Sequence, residues 1–179
     1  MPSAIETSQF GNWLSGFVDG EGCFGIYCYK ATDASFGCLG FEFSIQLRED
    51  DMPILEQIKT FLHCGQVGFS SRKKARSRGC NAMDQAKYTC RRLDDLCTKI
   101  VPQFEQYPLK AKKKKDFEIW KEALWLQQKS VILRKNKNKR ILDYPECIVL
   151  REKIFSLAKQ LRSGRNSRLQ RSCNSLIAV

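Results

Sequence analysis

Apolar and polar residues alternate along four short stretches of the chain, and this period of two predicts β-strands. The first two stretches are residues 23–30 and 41–48, and we expect them to form an antiparallel hairpin. The other two, residues 66–72 and 85–91, flank a basic loop and predict a second hairpin. Two hairpins can pair into one sheet, with helices covering its apolar face and its polar face left open.

Apolar residues that recur every three or four positions predict the helices. One helix precedes the first hairpin, and another lies between the hairpins and ends at Gly65. After the second hairpin we expect a short helix stopped by Pro102, a helix over residues 112–128 and a last helix opened by Pro145. This order predicts an α+β fold.

The composition indicates a soluble protein with an anionic partner. The 179 residues carry a formal net charge of +12, which makes nucleic acid the first candidate partner. No stretch approaches the length of a membrane span, and residues 1–9 do not resemble a secretory signal. The nine cysteines are odd in number, and Cys23, Cys28 and Cys90 lie within apolar patterns, so we expect buried thiols in a reducing intracellular compartment.

The stretch from Trp13 to Phe24 begins with a helical pattern and ends in an acid flanked by glycines, directly before a strand. Gly16 and Gly20 lie four residues apart and share one helical face, where a second backbone can approach closely. We therefore expect this helix to pack against a copy of itself. Glu21 would then lie near its counterpart, and paired carboxylates can bind a divalent metal ion.

The nine residues Leu14-Ser15-Gly16-Phe17-Val18-Asp19-Gly20-Glu21-Gly22 resemble the signature of the LAGLIDADG homing endonucleases. This resemblance implies the αββαββα fold of that family, with a curved antiparallel sheet, over about residues 10–160. We expect a core over residues 1–162, followed over residues 163–179 by a basic loop similar to one in the family and by a disordered tail that has no core of its own. Members with one copy of the signature act as homodimers, and one copy occurs here.

By the same resemblance, Glu21 is the catalytic acid, and the carbonyl group of Gly20 also contacts the metal ion. Magnesium is the expected ion, and Mn2+ can substitute for it. Asp19 has either a structural role at the helix end or a direct contact with the metal. The dimer interface is expected to contain Gly16, Gly20, Ser15 and Asp19.

Tyr107–Lys115 resembles the family segment that brings a lysine to the active centre just before a helix. Lys112 is the best match, with Lys110 and Lys114 as alternatives. A polar side chain at the end of the second strand orders water in the family, and Gln46 or Arg48 occupies that region here.

The polar sheet face, the basic loop after residue 71 and a C-terminal basic segment are the expected DNA contacts. Glu42 is the exception, as an acid on that face. The expected DNA-binding residues are Tyr27, Tyr29, Ser44, Gln46, Arg48, Ser70, Arg72, Lys73, Lys74, Lys87, Thr89, Arg91, Lys110, Lys114, Arg165 and Arg168.

Together these features predict a Mg-dependent, intron-encoded homing endonuclease that makes a double-strand break in a long pseudo-palindromic DNA site. Two alternatives keep the fold without the reaction: an RNA-binding maturase or a DNA-binding relative. A third is a basic ribosome-associated protein that binds RNA through the sheet. The host compartment stays open between an organelle and a bacterial cytoplasm.

Overall fold

The computed structural model describes residues 4–29, 38–72, 77, 83–134 and 144–163. The chain divides into two compact units, one made of Met1–Gly25 with Phe41–Lys115 and the other of Ile26–Gly40 with Asp116–Val179. Among the described residues, no helix combines the length and the apolar run that crossing a bilayer requires.

The elements follow the predicted order of helix, hairpin, helix, hairpin and helices. In chain order they are α1 (Ala4–Glu21), β1 (Gly22–Tyr29), β2 (Cys38–Arg48), α2 (Met52–Leu62), β3 (Gln66–Ser70), β4 (Gln85–Cys90), α3 (Leu93–Asp95, Leu96–Ile100 and Val101–Gln106 in succession), α4 (Lys113–Leu133) and α5 (Pro145–Ser163). A 3-10 turn, Glu49–Asp51, connects β2 to α2.

The four strands form one sheet in the order β1-β2-β4-β3, so β2 and β4 join the two hairpins. β4 is antiparallel to both neighbours: Lys87 lies opposite Gln46 of β2 and opposite Gly68 of β3. Because side chains alternate along a strand, these positions share one face of the sheet. This register confirms the predicted pairing of two hairpins into one sheet with a polar face.

The apolar face of the sheet carries the core of the first unit. The rings of Phe24, Phe43 and Phe104 lie 5.2–5.6 Å apart between centroids, and each side chain is at most 2% exposed. Burying one such ring contributes about 1.5–3 kcal/mol. α2 contacts β3 and β4 and buries Leu55, Ile58 and Leu62. This packing leaves the polar face on the opposite side of the sheet.

The five cysteines whose side chains the structure describes are free thiols, and most of them are buried. Cys64, Cys90, Cys97 and Cys147 are at most 9% exposed, while Cys23 is half-buried. Of the three cysteines that the sequence expected to be buried, Cys90 is buried, Cys23 is half-buried, and the side chain of Cys28 lies outside the described residues.

α3 contradicts the expectation that Pro102 stops the third helix. The helix continues to Gln106, and a π-helical turn, Leu96–Ile100, directly precedes the segment that contains the proline. Pro102 thus lies in the first turn of an α-helical segment, where its missing N–H group is least costly, and it is exposed. The sequence pattern did not reveal the π-turn that permits this.

The second unit contains most of α4 and all of α5. α4 buries Phe117, Trp120 and Leu124, and it extends five residues beyond the predicted end at residue 128. α5 begins at Pro145 as predicted, and Lys153 on it pairs with Glu122 of α4 at 3.0 Å. The predicted core ends at residue 162, within α5, whereas the tail beyond residue 163 lies outside the described residues, so that domain boundary stays a prediction.

Candidate active centre and nucleic-acid interface

One face of α1 is buried within the protomer. A Cβ atom at Gly11 would lie 2.4 Å from the Tyr107 ring, so the glycine permits this close approach. The Ser15 hydroxyl donates a hydrogen bond to the Tyr107 carbonyl oxygen at 2.5 Å, and Gln103 Nε2 donates to the Gly11 carbonyl oxygen at 3.0 Å. Ser15 is only 4% exposed. The side chain of Ser15 thus faces inward and bonds within the chain, and its predicted place in a dimer interface stays a prediction.

The opposite face of α1 is open. Trp13, Gly16, Phe17 and Gly20 recur at helical spacing, and Trp13 is 40% exposed although it stacks on Phe17 at 5.0 Å. A Cβ atom at Gly16 or Gly20 would meet no atom of the described residues within 4 Å. α1 ends at Glu21, which is exposed. The helix thus presents a shallow apolar stripe that leads to a solvent-facing carboxylate.

Asp19 connects the end of α1 to the lysine-rich segment, Tyr107–Lys115. Its Oδ2 atom accepts hydrogen bonds from the backbone N–H groups of Lys110 (2.8 Å) and Ala111 (3.1 Å). Its Oδ1 atom is buried and has no hydrogen-bond partner among the described residues. These contacts attach the end of α1 to residues 110 and 111, and both roles that the sequence suggested for Asp19 stay predictions. An additional role in the dimer interface stays a prediction.

The predicted catalytic lysines lie on this attached segment. Lys112 immediately precedes α4, which begins at Lys113, as the resemblance implied. Lys110, Lys112 and Lys114 are all exposed. The anchored backbone at residues 110 and 111 brings the segment to the end of α1, two residues before Glu21. Which lysine approaches a scissile phosphate stays a prediction.

Gln46 belongs to a hydrogen-bonded network on the polar sheet face. Its Nε2 atom donates to Gln85 Oε1 at 2.5 Å, and Arg72 Nε donates to the same oxygen at 2.8 Å. The backbone N–H of Arg72 donates to Asp84 Oδ1 at 2.6 Å. Gln85 was not among the predicted site residues, although alternation along β4 places it on the same face as Lys87. It orients both of the predicted residues that donate to it.

Two other predicted DNA contacts on β2 have different environments. Arg48 pairs with Asp50 at 2.8 Å, and both side chains are about 60% exposed. Ser44 is only 4% exposed, and its side chain hydrogen-bonds to Glu42. The hydroxyl of Ser44 is thus enclosed and bonded within the sheet, and its predicted contact with DNA stays a prediction.

Glu42 lies on β2, on the same face as Gln46, and is 2% exposed. Lys87 Nζ donates to its Oε1 atom at 2.6 Å, and Arg91 Nε donates to its Oε2 atom at 2.7 Å. Burial raises the pKa of the Glu42 carboxyl, but the hydrogen bonds from Lys87 and Arg91 outweigh burial and hold that pKa below its usual value. Glu42 is therefore ionised at neutral pH.

The remaining predicted contacts are only partly described. Ser70 is exposed, Thr89 is half-buried and Tyr27 is 37% exposed. The predicted contacts outside the described residues are the side chain of Tyr29 together with Lys73, Lys74, Arg165 and Arg168.

Comparison with known sequences identifies the family. The family profile described as LAGLIDADG endonuclease matches residues 14–124, which is more than half of the chain. The chain belongs to the LAGLIDADG endonuclease family. The match begins at the first residue of the signature in α1 and extends into α4, so it covers the whole arrangement of strands described above.

Curated relatives of this LAGLIDADG chain come from fungi. It is 26% identical over 132 residues to "Probable intron-encoded endonuclease 2" of Neurospora crassa, covering 73% of this chain and 26% of that protein. It is 28% identical over 133 residues to "Probable intron-encoded endonuclease Cox1-I1b" of Schizosaccharomyces pombe, covering 74% of this chain and 32% of that protein. The chain thus spans about a quarter to a third of the length of these relatives.

Solved structures confirm the LAGLIDADG fold. The I-SmaMI homing endonuclease bound to cleaved DNA superposes with a TM-score of 0.68 at 24% identity, over 87% of this chain and 44% of that chain. I-GzeII in complex with its DNA target superposes with a TM-score of 0.64 at 21% identity, over 87% of this chain and 44% of that chain. I-SmaMI bound to uncleaved DNA in the presence of calcium ions superposes with a TM-score of 0.68 at 23% identity, over 92% of this chain and 48% of that chain.

Proposed function

We propose that this chain is a site-specific homing endonuclease that hydrolyses both strands of a long, pseudo-palindromic DNA target. The observation that carries the proposal is the end of α1, where the exposed Glu21 carboxylate lies beside an open glycine stripe and next to an anchored lysine-rich segment. The solved neighbours are described as bound to DNA, and one of them to cleaved DNA, which supports DNA as the substrate.

A divalent metal ion fits the donors at this end of α1. The Glu21 carboxylate and the Gly20 carbonyl group are hard oxygen ligands, which Mg2+ prefers and Mn2+ accepts. Within the described residues no group of three or more acidic, histidine or cysteine side chains is positioned to hold a metal ion. One protomer therefore offers a partial donor set, and a second Glu21 would supplement it. A bound ion would activate water and stabilise the departing oxygen.

The other residues of the site position the reacting groups and neutralise negative charge. Asp19 fixes the backbone of the lysine segment, so Lys112, or alternatively Lys110 or Lys114, can stabilise the negative charge that develops on the phosphate. The Gln46 amide, held by Gln85, can orient a water molecule at the end of β2. These roles require fixed geometry, since a displacement of about 1 Å can cost about a hundredfold in rate.

The open stripe of α1 supports a homodimer. Two stripes containing Gly16 and Gly20 can pack backbone to backbone and bring two copies of Glu21 together. Gly16→Leu should leave the protomer folded, because the position is open, and should convert a dimer to a monomer in sedimentation velocity. Gly68→Leu adds the same side chain at an open position on β3 and should stay dimeric. A dimeric Gly16→Leu protein would exclude this interface.

A cleavage selection tests the reaction itself. The protein is incubated with Mg2+ and duplex DNA of randomised sequence, beside Glu21→Gln, and cut molecules are sequenced. The wild type should enrich one cut sequence, whereas the variant should cut none yet bind the enriched duplex within about tenfold, since it loses few phosphate contacts. Equal loss of cutting and binding would give Glu21 a structural role. RNA binding without Mg-dependent cutting would favour the maturase alternative.

The relatives are named as intron-encoded endonucleases of fungi, which supports an intron as the genetic origin of this chain. Among the host compartments that the sequence left open, the fungal relatives favour an organelle.

A further inference from the structure

Glu42 is an unusual residue for a surface that binds DNA. It places a carboxylate between two cations of the polar sheet face, although a negative charge there opposes phosphate binding. A buried ion pair is also a weak source of stability, because removing the charges from water offsets most of their attraction. Stability alone therefore does not explain an acid at this position.

The geometry of the contacts indicates what Glu42 does. Each of its two oxygens holds a different cation, Lys87 Nζ at 2.6 Å and Arg91 Nε at 2.7 Å. The carboxylate is enclosed at 2% exposure, whereas the Lys87 and Arg91 side chains are 34% and 66% exposed. The acid is thus hidden from a ligand, while the two cations that it orients are accessible.

These cations lie in an open groove. Lys87, Thr89 and Arg91 line a groove of about 740 Å³ on the β3 side of the sheet. Thr89 lies on the same face of β4 as Lys87, and Arg91 directly follows the last residue of the strand. A base edge in the major groove can be read by an arginine or lysine side chain if its position is fixed.

From this arrangement we infer that Glu42 is a specificity-determining positioning residue, which acts through Lys87 and Arg91 in DNA recognition. It lowers the charge of the trio from +2 to +1, which weakens sequence-independent attraction to phosphates. It also orders both cations before binding, so binding of the target DNA does not include the entropic cost of ordering these two side chains. Discrimination is the difference between the affinity for target DNA and the affinity for other DNA. Glu42 increases this difference because it strengthens target binding and weakens sequence-independent binding. This inference rests on the proposed DNA binding.

The test compares two affinities for each variant. The target is the duplex that the wild type enriches by binding from a pool of randomised sequence, and the reference is a fixed scrambled duplex of equal length. For Glu42→Gln, target affinity should fall about tenfold and scrambled-duplex affinity should rise about threefold. The slope of log K against log salt for the scrambled duplex should steepen by up to about 0.9.

A second variant separates the effect of cation position from the effect of the charge at residue 42. Glu42→Asp keeps the charge but is one methylene shorter, so it cannot reach both cations in the same geometry. Its affinity for the scrambled duplex should match the wild type, and its target affinity should fall. In a Lys87→Gln/Arg91→Gln background, Glu42→Gln should no longer change the affinity ratio, because the residues through which it acts are absent. Glu56→Gln is the matched control, since Glu56 is an exposed acid paired with Lys59 at 3.1 Å on α2.

The outcomes distinguish the inference from the proposed function. A merely structural Glu42 would lower the melting temperature and change both affinities equally, and this result would overturn the inference while leaving DNA recognition intact. An unchanged affinity ratio in both Glu42 variants would do the same. If the wild type enriches no duplex from the pool, the proposed function fails and the inference fails with it. If Glu42→Gln does not fold at the assay temperature, a wild-type affinity ratio for Glu42→Asp overturns the inference.

Discussion

Asp19→Asn tests the connection between α1 and the lysine-rich segment. The substitution keeps the shape of the side chain and removes its charge, so the hydrogen bonds from the N–H groups of Lys110 and Ala111 become neutral and about half as strong. Bonds to a charged group contribute about 1.5–3 kcal/mol each, but both donors are exposed, so we expect a total loss of about 1 kcal/mol. In a chain of 179 residues this lowers Tm by about 2–4 °C.

The effect on cleavage should exceed the effect on stability. A looser segment displaces the lysines, and a shift of about 1 Å costs up to about a hundredfold in the single-turnover cleavage rate, with target affinity changed little. Asp51→Asn is the matched control, because Asp51 is exposed and makes no side-chain capping bond to α2. A wild-type cleavage rate in Asp19→Asn, despite a lowered Tm, would refute the argument that Asp19 positions a catalytic lysine. An unchanged Tm would refute the energetic estimate.

Two further predictions concern stability. Gly11→Ala should destabilise the protomer by about 1–3 kcal/mol, because its methyl group would overlap the Tyr107 ring. Gly16→Ala should instead stabilise the folded protomer by up to about 1 kcal/mol, because the position is open and alanine favours a helix. Thermal melting at a concentration where the protein is monomeric compares the two variants, and equal changes in Tm would contradict the packing of α1. Because the pKa of Glu42 is lowered in the folded state, its ionised carboxylate stabilises the fold above about pH 4.3 and this contribution is lost as the pH falls through the lowered pKa. The stability difference between wild type and Glu42→Gln should therefore shrink from pH 7 to pH 3 in urea titrations, and a constant difference would show that Glu42 does not titrate as described.

The sequence predicted the sheet well because alternation is a local signal. Each strand had to bury one face, and residues such as Phe43 and Tyr88 could lie on that face only in one register. The signature from Leu14 to Gly22 predicted the family for the same reason, since its glycines and acids are contiguous in the chain.

The sequence did not reveal burial that depends on distant residues. Ser15 matched a position expected at an interface, but Tyr107, far along the chain, accepts its hydrogen bond and encloses it. Ser44 alternated with polar residues and is nonetheless buried beside Glu42. Pro102 was expected to end a helix, and a π-turn before it allowed the helix to continue.

Local pattern by itself determined the order of helices and strands, the polar face of the sheet and the acid at the end of α1, because each follows from the spacing of residues a few positions apart. Only the tertiary structure decided how the chemistry is arranged. The attachment of residues 110 and 111 to Asp19, and the two cations held by Glu42, join positions more than 40 residues apart, and no periodicity specifies such contacts. They depend on which side chains the packed core brings within hydrogen-bonding distance.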